Sequence, residues 1–335
     1  MRAGLAGLVA LLALVATAGP AAAADHVVFR FLDPAIVESS ALVDLGATVV
    51  TANDSGNAPD LYLVDARTGS TVGVTHLHVP GVDIEALAPA GGSHVWVGDI
   101  GDNGHQRSSV SVARAPVARG RLDATPTSYR LAYPDGPHDA ESLVAAPDGR
   151  LYVITKEFTG GTVYRAPQRL DARRVNRLQR VARVPDFATD AAVLPDGRHV
   201  VVRTYWSAVV YTFPGFRRLG SFQLPAQRQG EGISVGPDGR ILLSSEGVHQ
   251  PVLQVTLPTG LEEQVTGRSE PSAWPPASAA ATPPESIGPS SGHTLQQPSE
   301  QPSGGPPRGW TWWAVAGLVL AGVLGVGTAV RRRQG

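Results

Sequence analysis

Five copies of one strand-rich pattern predict an all-β fold, a five-bladed β-propeller closed by an N-terminal strand. Three observations carry this. Glu38, Glu85, Glu141, Asp190 and Glu231 mark the copies at intervals of 47, 56, 49 and 41 residues, the spacing of propeller blades. The turn Pro-Asp-Gly-Arg recurs at 147–150, 195–198 and 237–240, and Asp-Gly supplies the positive φ of a two-residue hairpin turn. The fifth copy stops after its third strand, near Pro258, while one strand at 26–34 is left over at the other end of the chain. Pairing the two removes an open sheet edge.

The elements follow in chain order. Residues 1–24 carry Arg2, an apolar run from Leu5 to Val15 and small residues before Asp25, the pattern of a secretory signal peptide. Residues 25–262 form the propeller ectodomain, each unit resolving into four strands. In the third unit these are 141–146, 150–157, 162–167 and 177–185, with β-branched and aromatic residues prominent in the second strands. No helical periodicity precedes residue 260. Residues 263–309 are rich in Pro, Ser and Gly, which predicts a disordered linker, a stalk. About twenty uncharged residues at 310–330 suffice to cross a bilayer. Trp310, Trp312 and Trp313 stand at one boundary, and Arg331, Arg332 and Arg333 open the basic tail 331–335. That asymmetry predicts a single-pass cell-membrane protein, its N-terminal domain extracellular and its C-terminus cytoplasmic.

The chain has no cysteine, so neither a disulfide framework nor a thiolate metal site is available. Its net charge is −1 and Lys156 is its only lysine, which gives no basis for nucleic-acid binding. The expectation is a monomeric ectodomain with a small-molecule, glycan or protein ligand.

The first strand of each blade lines a propeller's channel, so the five marker acids are expected around one mouth. Glu38, Glu85, Glu141, Asp190 and Glu231 would repel one another there unless protonated or neutralised. A ring of oxygen donors suits Ca²⁺, which tolerates irregular geometry. The other reading is that the acids staple blade to blade through backbone amides. Ser39 or Ser40 could stand in for Glu38. The second strands end in an outer polar ring: Asn53 and Asp54; Asp99, Asp102, Asn103, His105 and Arg107; Lys156 and Glu157; Arg203 and Tyr205; Ser245 and Glu246. Lys156 and Arg203 beside a metal would suit an anionic group such as phosphate. His138, His105 and His249 are candidate general acids or bases, or simply loop histidines. Asp99, Asp102 and Asn103 form either a second metal site or a turn. No G-x-S-x-G, H-E-x-x-H or P-loop motif is present.

The strings "IEAL", "AESL" and "GEGI" resemble the secreted β-propellers grouped as phytase-like or esterase-like. The order "DIEALAPAGGSHVWVGDIGDNG", "HDAESLVAAPDGRLYVI", "QGEGI" is also similar to the calcium-activated nucleotidases, or apyrases. That second resemblance implies five blades and one channel Ca²⁺, with the metal role on Glu85, Glu141 and Glu231. It departs at the fourth unit, "TDAAV", where the family pattern has Ser. The function expected is a membrane-anchored, cation-containing binding module of the cell envelope. A Ca²⁺-dependent phosphoester hydrolase and a purely structural envelope protein are the alternatives.

Overall fold

The computed structural model describes residues 25–267, except 55, 80–82 and 185–186. The leader 1–24, the span 310–330 and the tail 331–335 lie outside the described residues, as does most of the linker. Among the described residues no helix is long and apolar enough to cross a membrane.

Strand β1 (Asp25–Arg30) precedes the first blade, β2 (Ser39–Asp44), β3 (Thr48–Asn53), β4 (Asp60–Asp65) and β5 (Thr71–Leu77). The second blade contains β6 (Ile84–Pro89), β7 (His94–Asp99), β8 (Val110–Pro116) and, after an intervening β9 (Gly120–Ala124), β10 (Ser128–Ala132). The third has β11 (Ala140–Ala145), β12 (Leu151–Thr155), β13 (Thr162–Arg165) and, after β14 (Asn176–Arg177), β15 (Gln179–Arg183). The fourth comprises β16 (Asp190–Val193), β17 (His199–Arg203), β18 (Ser207–Thr212) and β19 (Arg218–Gln223). The fifth is β20 (Gly230–Val235), β21 (Ile241–Ser245), β22 (Pro251–Val255) and, as its outermost strand, β1. Five sheets therefore stand around one axis, with β2, β6, β11, β16 and β20 packed innermost and in cyclic order. The closure expected of the N-terminal strand is what joins the ends, β1 running antiparallel to β22.

Two blades have five strands rather than four. β9 adds in parallel to the edge of β5, and β14 adds in parallel to β10. Each strand is donated by the following blade to the one before it. The unusual 56-residue interval of the second unit holds the first of these donated strands.

Packing follows from alternation. Both faces of every blade are covered by its neighbours, so five apolar clusters fill the five interblade gaps. The Pro-Asp-Gly-Arg turns are longer than the two-residue form the sequence suggests. Only the glycine takes positive φ, at +82° for Gly149, +64° for Gly197 and +86° for Gly239. The preceding Asp instead accepts the Arg amide two residues on, at 3.0, 2.9 and 3.1 Å. This is an Asx turn followed by a left-handed glycine.

Past the last strand, α1 (Thr259–Thr266) crosses position 262, where the sequence places the end of the folded domain. Leu261 and Val265 pack onto the cluster between blades four and five, and the missing side chain of Gly220 leaves the space that Leu261 fills. Two apolar residues four apart are too little periodicity to predict so short a helix.

Candidate metal and ligand site at the channel mouth

In blades one, two, three and five a break in strand register falls at the ring position. Pairing jumps from Ser39/Asn53 to Ala41/Ala52, from Ile84/Asp99 to Ala86/Gly98, and from Ala140/Thr155 to Ser142/Ile154. The residues skipped are Ser40, Glu85 and Glu141. In blade five the irregular stretch between Gly230 and Ile233 contains Glu231. An unpaired bulge residue is free to turn toward the axis. Blade four has no bulge, and Asp190 pairs in regular register with Arg203.

Directly beneath these residues Leu42, Leu87, Leu143 and Ile233 close the channel, with Ala192 as the small fifth member, around a cavity of about 50 Å³. The acids thus rest on an apolar plug, which makes their charged forms expensive. Burial, with the Glu141 and Asp54 charges, pushes the Glu85 carboxyl up to about 11. Burial also holds Glu141 well above the usual carboxylate range, against the pull of Lys156. Glu231 is raised by burial, and the Gln229 hydrogen bond and Lys156 hold the rise back. Burial and Glu231 together push Glu246 up to about 8.

The protein supplies some of the missing positive charge itself. The Lys156 ammonium is in contact with Glu141 Oε1 and lies 5.5 Å from the centroid of the Tyr205 ring. Burial would lower its pKa, but Glu141 and Tyr205 leave it raised. The other oxygen of Glu141, Oε2, is buried without a hydrogen-bond partner. Ser40 Oγ donates to Glu85 Oε2 at 2.9 Å, with the Glu85 carbonyl 3.1 Å away. Carboxylate oxygens of Asp54, Asp83 and Glu85 lie within 4.8 Å of one another. This all-oxygen donor set with an orphaned buried carboxylate oxygen nearby fits a hard divalent cation. Asp54, Asp83 and Glu85 would hold it, with Glu141 Oε2 within the same polar layer.

Glu38 is two positions too early: its carbonyl accepts the Asp54 amide as the Asp139 carbonyl accepts that of Lys156. Its carboxylate, partly exposed, accepts from Asn57 at 2.7 Å on the rim. Ser40 takes the position equivalent to the ring acids. Asp190 is a staple, its oxygens accepting the amides of Ala191 and Ile233 at 2.8 Å each, and burial keeps its carboxyl well above the usual range. Arg203 is not at the mouth. It is fully buried and donates to the carbonyls of Gly232 at 2.5 Å and Ser244 at 2.9 Å and to Gln227 Oε1 at 2.6 Å. Strand β17 ends one residue before the mouth turn, so its last side chain points into the blade interface.

Asp99 takes the Arg107 guanidinium at 2.9 Å, and Asp102 caps its own loop by accepting the amides of Gln106 and Arg107. Asn103 and His105 are exposed tips of that loop. Asn53 orders the blade-one approach through Val37, Glu38 and Ala35. Ser245 bonds Gln229, which also reaches Glu246 at 2.7 Å. His249 binds the Phe31 carbonyl at 2.9 Å. His138 sits between Glu157 at 3.0 Å and Asp135 at 3.1 Å, with the Tyr164 hydroxyl 3.0 Å away.

Asp83 and Gln229 escape the sequence reading. Their signal is the spacing Asp83-x-Glu85, Asp139-x-Glu141, Gln229-x-Glu231, a second polar position two residues before the ring that also places Glu38 and Ser40 correctly.

No family model and no curated relative matches the chain. Among solved structures, it is similar to regucalcin, described as a calcium-binding protein, from Agrobacterium tumefaciens, with 16% identity, 66% of this chain and 76% of that one covered, and a TM-score of 0.41. It is also similar to the soluble aldose sugar dehydrogenase of Escherichia coli, with 12% identity, coverages of 70% and 99%, and a TM-score of 0.43. A glucose dehydrogenase gives 12% identity, coverages of 70% and 100%, and a TM-score of 0.44. At such identities and TM-scores these likenesses say nothing about activity here.

Proposed function

We propose that this β-propeller is a cation-dependent binding module of the cell envelope, with the channel mouth as its site. The observation that carries the reading is the convergence of Asp54, Asp83 and Glu85 within 4.8 Å. Calcium is the cation that an all-oxygen, partly hydrated mouth favours. Bound there, it would replace protons on the carboxylates, tie blades one and two together and offer a positive centre to a ligand. Ser40 would orient Glu85 by its hydrogen bond, and the apolar plug would keep water from below. The leader, the Pro-rich stretch and the apolar span read from the sequence would hold the domain outside the membrane, with one helix crossing it.

The test is direct. Purify the full chain, measure bound calcium, and melt the protein with calcium and with EDTA. One tightly held calcium per chain and a lower melting temperature on chelation support the reading. No metal and an unchanged melt reject it and favour the purely structural envelope protein, whose interblade staples Asp190 exemplifies.

One observation favours a second reading, a metal-dependent phosphoester hydrolase. Lys156 lies at the mouth, where an anionic oxygen would be received. Arg203 takes no part in it because it is buried beneath. Turnover of a phosphoester panel that survives Lys156→Ala would reject this form of the hydrolase.

A further inference from the structure

We propose that Phe158, Phe187, Tyr205 and Trp206 form a carbohydrate-stacking subsite beside the channel mouth. This rests on the reading of the mouth as a ligand site and names the class of ligand. Among the large apolar side chains of the described residues, Phe158 and Trp206 are the most exposed, at 80% and 67%. They belong to one row. Successive ring centroids from Phe158 through Phe187 and Tyr205 to Trp206 are 4.7, 6.3 and 5.6 Å apart. Three separate connections converge to build it: the turn after β12, the approach to β16 and the turn after β17. Phe187 holds φ of +51°, a conformation that is an outlier for a bulky residue and that persists where the surroundings enforce it. The row meets the polar site at Tyr205, whose ring faces the Lys156 ammonium.

The chemistry selects the occupant. Four rings are far less than the ~800 Å² per partner of a standard protein interface. Beside the rings, Tyr205 stands near Lys156, Glu141 and Glu231, groups that donate to and accept from hydroxyls. A sugar ring has the matching duality: C–H faces for aromatic rings, and hydroxyl edges for carboxylate acceptors and the single ammonium.

The test uses the full chain in a detergent without a sugar headgroup. A glycan array of neutral and uronic-acid oligosaccharides comes first. The best binder is then titrated by calorimetry against wild type, Trp206→Ala, Phe158→Ala and the double variant. Both side chains are exposed, so these variants keep the fold, which a melt verifies. The expected result is array binding that weakens on the order of tenfold for each ring removed. An array without binders overturns the proposal, as does equal affinity in all four proteins. Ring-dependent binding to phosphatidylcholine vesicles without glycan binding overturns it in favour of membrane docking. Calcium loading is measured separately. Glycan binding without calcium leaves the aromatic subsite standing and removes the cation reading; calcium without glycan removes the subsite alone.

Discussion

The Arg240 guanidinium forks onto both carboxylate oxygens of Asp44, Nε to Oδ2 at 2.5 Å and Nη2 to Oδ1 at 2.8 Å, across 196 positions of sequence. Nη2 also reaches the Gly46 carbonyl at 2.5 Å. Asp44 is fully buried as a side chain, and its amide donates to Ser234 Oγ at 2.8 Å. These bonds lock blade five to blade one on the face opposite the acid ring. Chain closure thus includes β1 against β22 at the rim and this fork at the far end of β2.

Removing the arginine strands a buried carboxylate. Arg240→Ala should cost about 3 kcal/mol, and pairing it with Asp44→Ala should cost clearly less than the two single changes summed. Urea unfolding of the four proteins reads the coupling. Strict additivity would mean that the fork contributes nothing to closure.

Arg203 makes a harsher case. It is buried among the Gly232 and Ser244 carbonyls and Gln227, near Asp190, and a methyl group on Gly230 would collide with its guanidinium. Arg203→Met should cost about 3–5 kcal/mol, and Gly230→Ala should also lower the melting temperature. If Arg203→Met melts with wild type, the buried guanidinium does not prop the interface of blades four and five.

Acidity gives a signed prediction for the metal-stripped protein. Folding lifts Glu85 from 4.5 to about 11, so above the lower value the folded chain holds a proton that the unfolded chain has lost. The associated stability is full below the ordinary carboxylate pKa and is lost as pH rises toward the folded value. Melting temperature in EDTA should therefore fall between roughly pH 5 and pH 10. Calcium should flatten that slope by replacing the proton. At a hundredfold excess over its Kd it should add about 2.7 kcal/mol, a shift of roughly 5 °C or more. A rising melt in EDTA over that range would contradict a neutral Glu85.

A cation held by Asp54, Asp83 and Glu85 would feel Glu141, whose charge Lys156 already offsets. Lys156→Met should tighten calcium binding severalfold while lowering the stability of the metal-free protein, because Glu141 then loses its cation. Calorimetric titration with calcium decides. Weaker calcium binding in the variant would mean that the ammonium organises the site rather than opposing the ion.

Much of this molecule is local chemistry written in order along the chain. The blade period, the Asp-Gly turns and the orphan strand at 26–34 were legible because each depends on neighbours a few residues apart. So were Glu85, Glu141 and Glu231, whose positions repeat with the blades. Other features were not legible in this way. The donated strands β9 and β14 carry no pattern of their own, β9 being mostly exposed and β14 only two residues long, and a free sheet edge on the preceding blade tells them where to pair. The two-residue offset between Glu38 and Ser40 does leave a trace, in the spacing Asp83-x-Glu85 and Asp139-x-Glu141, but the bulge that gives the spacing its meaning is set by strand pairing.

The sequence alone determined an all-β chain of five repeats and which residue types gather at one mouth, because hydrophobic alternation and turn chemistry act over short range. The tertiary structure decided what each charge does there. It put Arg203 under the ring instead of above it, gave Lys156 to Glu141, made Asp190 a staple, and set the acids on a plug of Leu42, Leu87, Leu143 and Ile233. Those outcomes are fixed through space by burial and by whichever partner stands within hydrogen-bond reach, and neither can be read from neighbours in sequence.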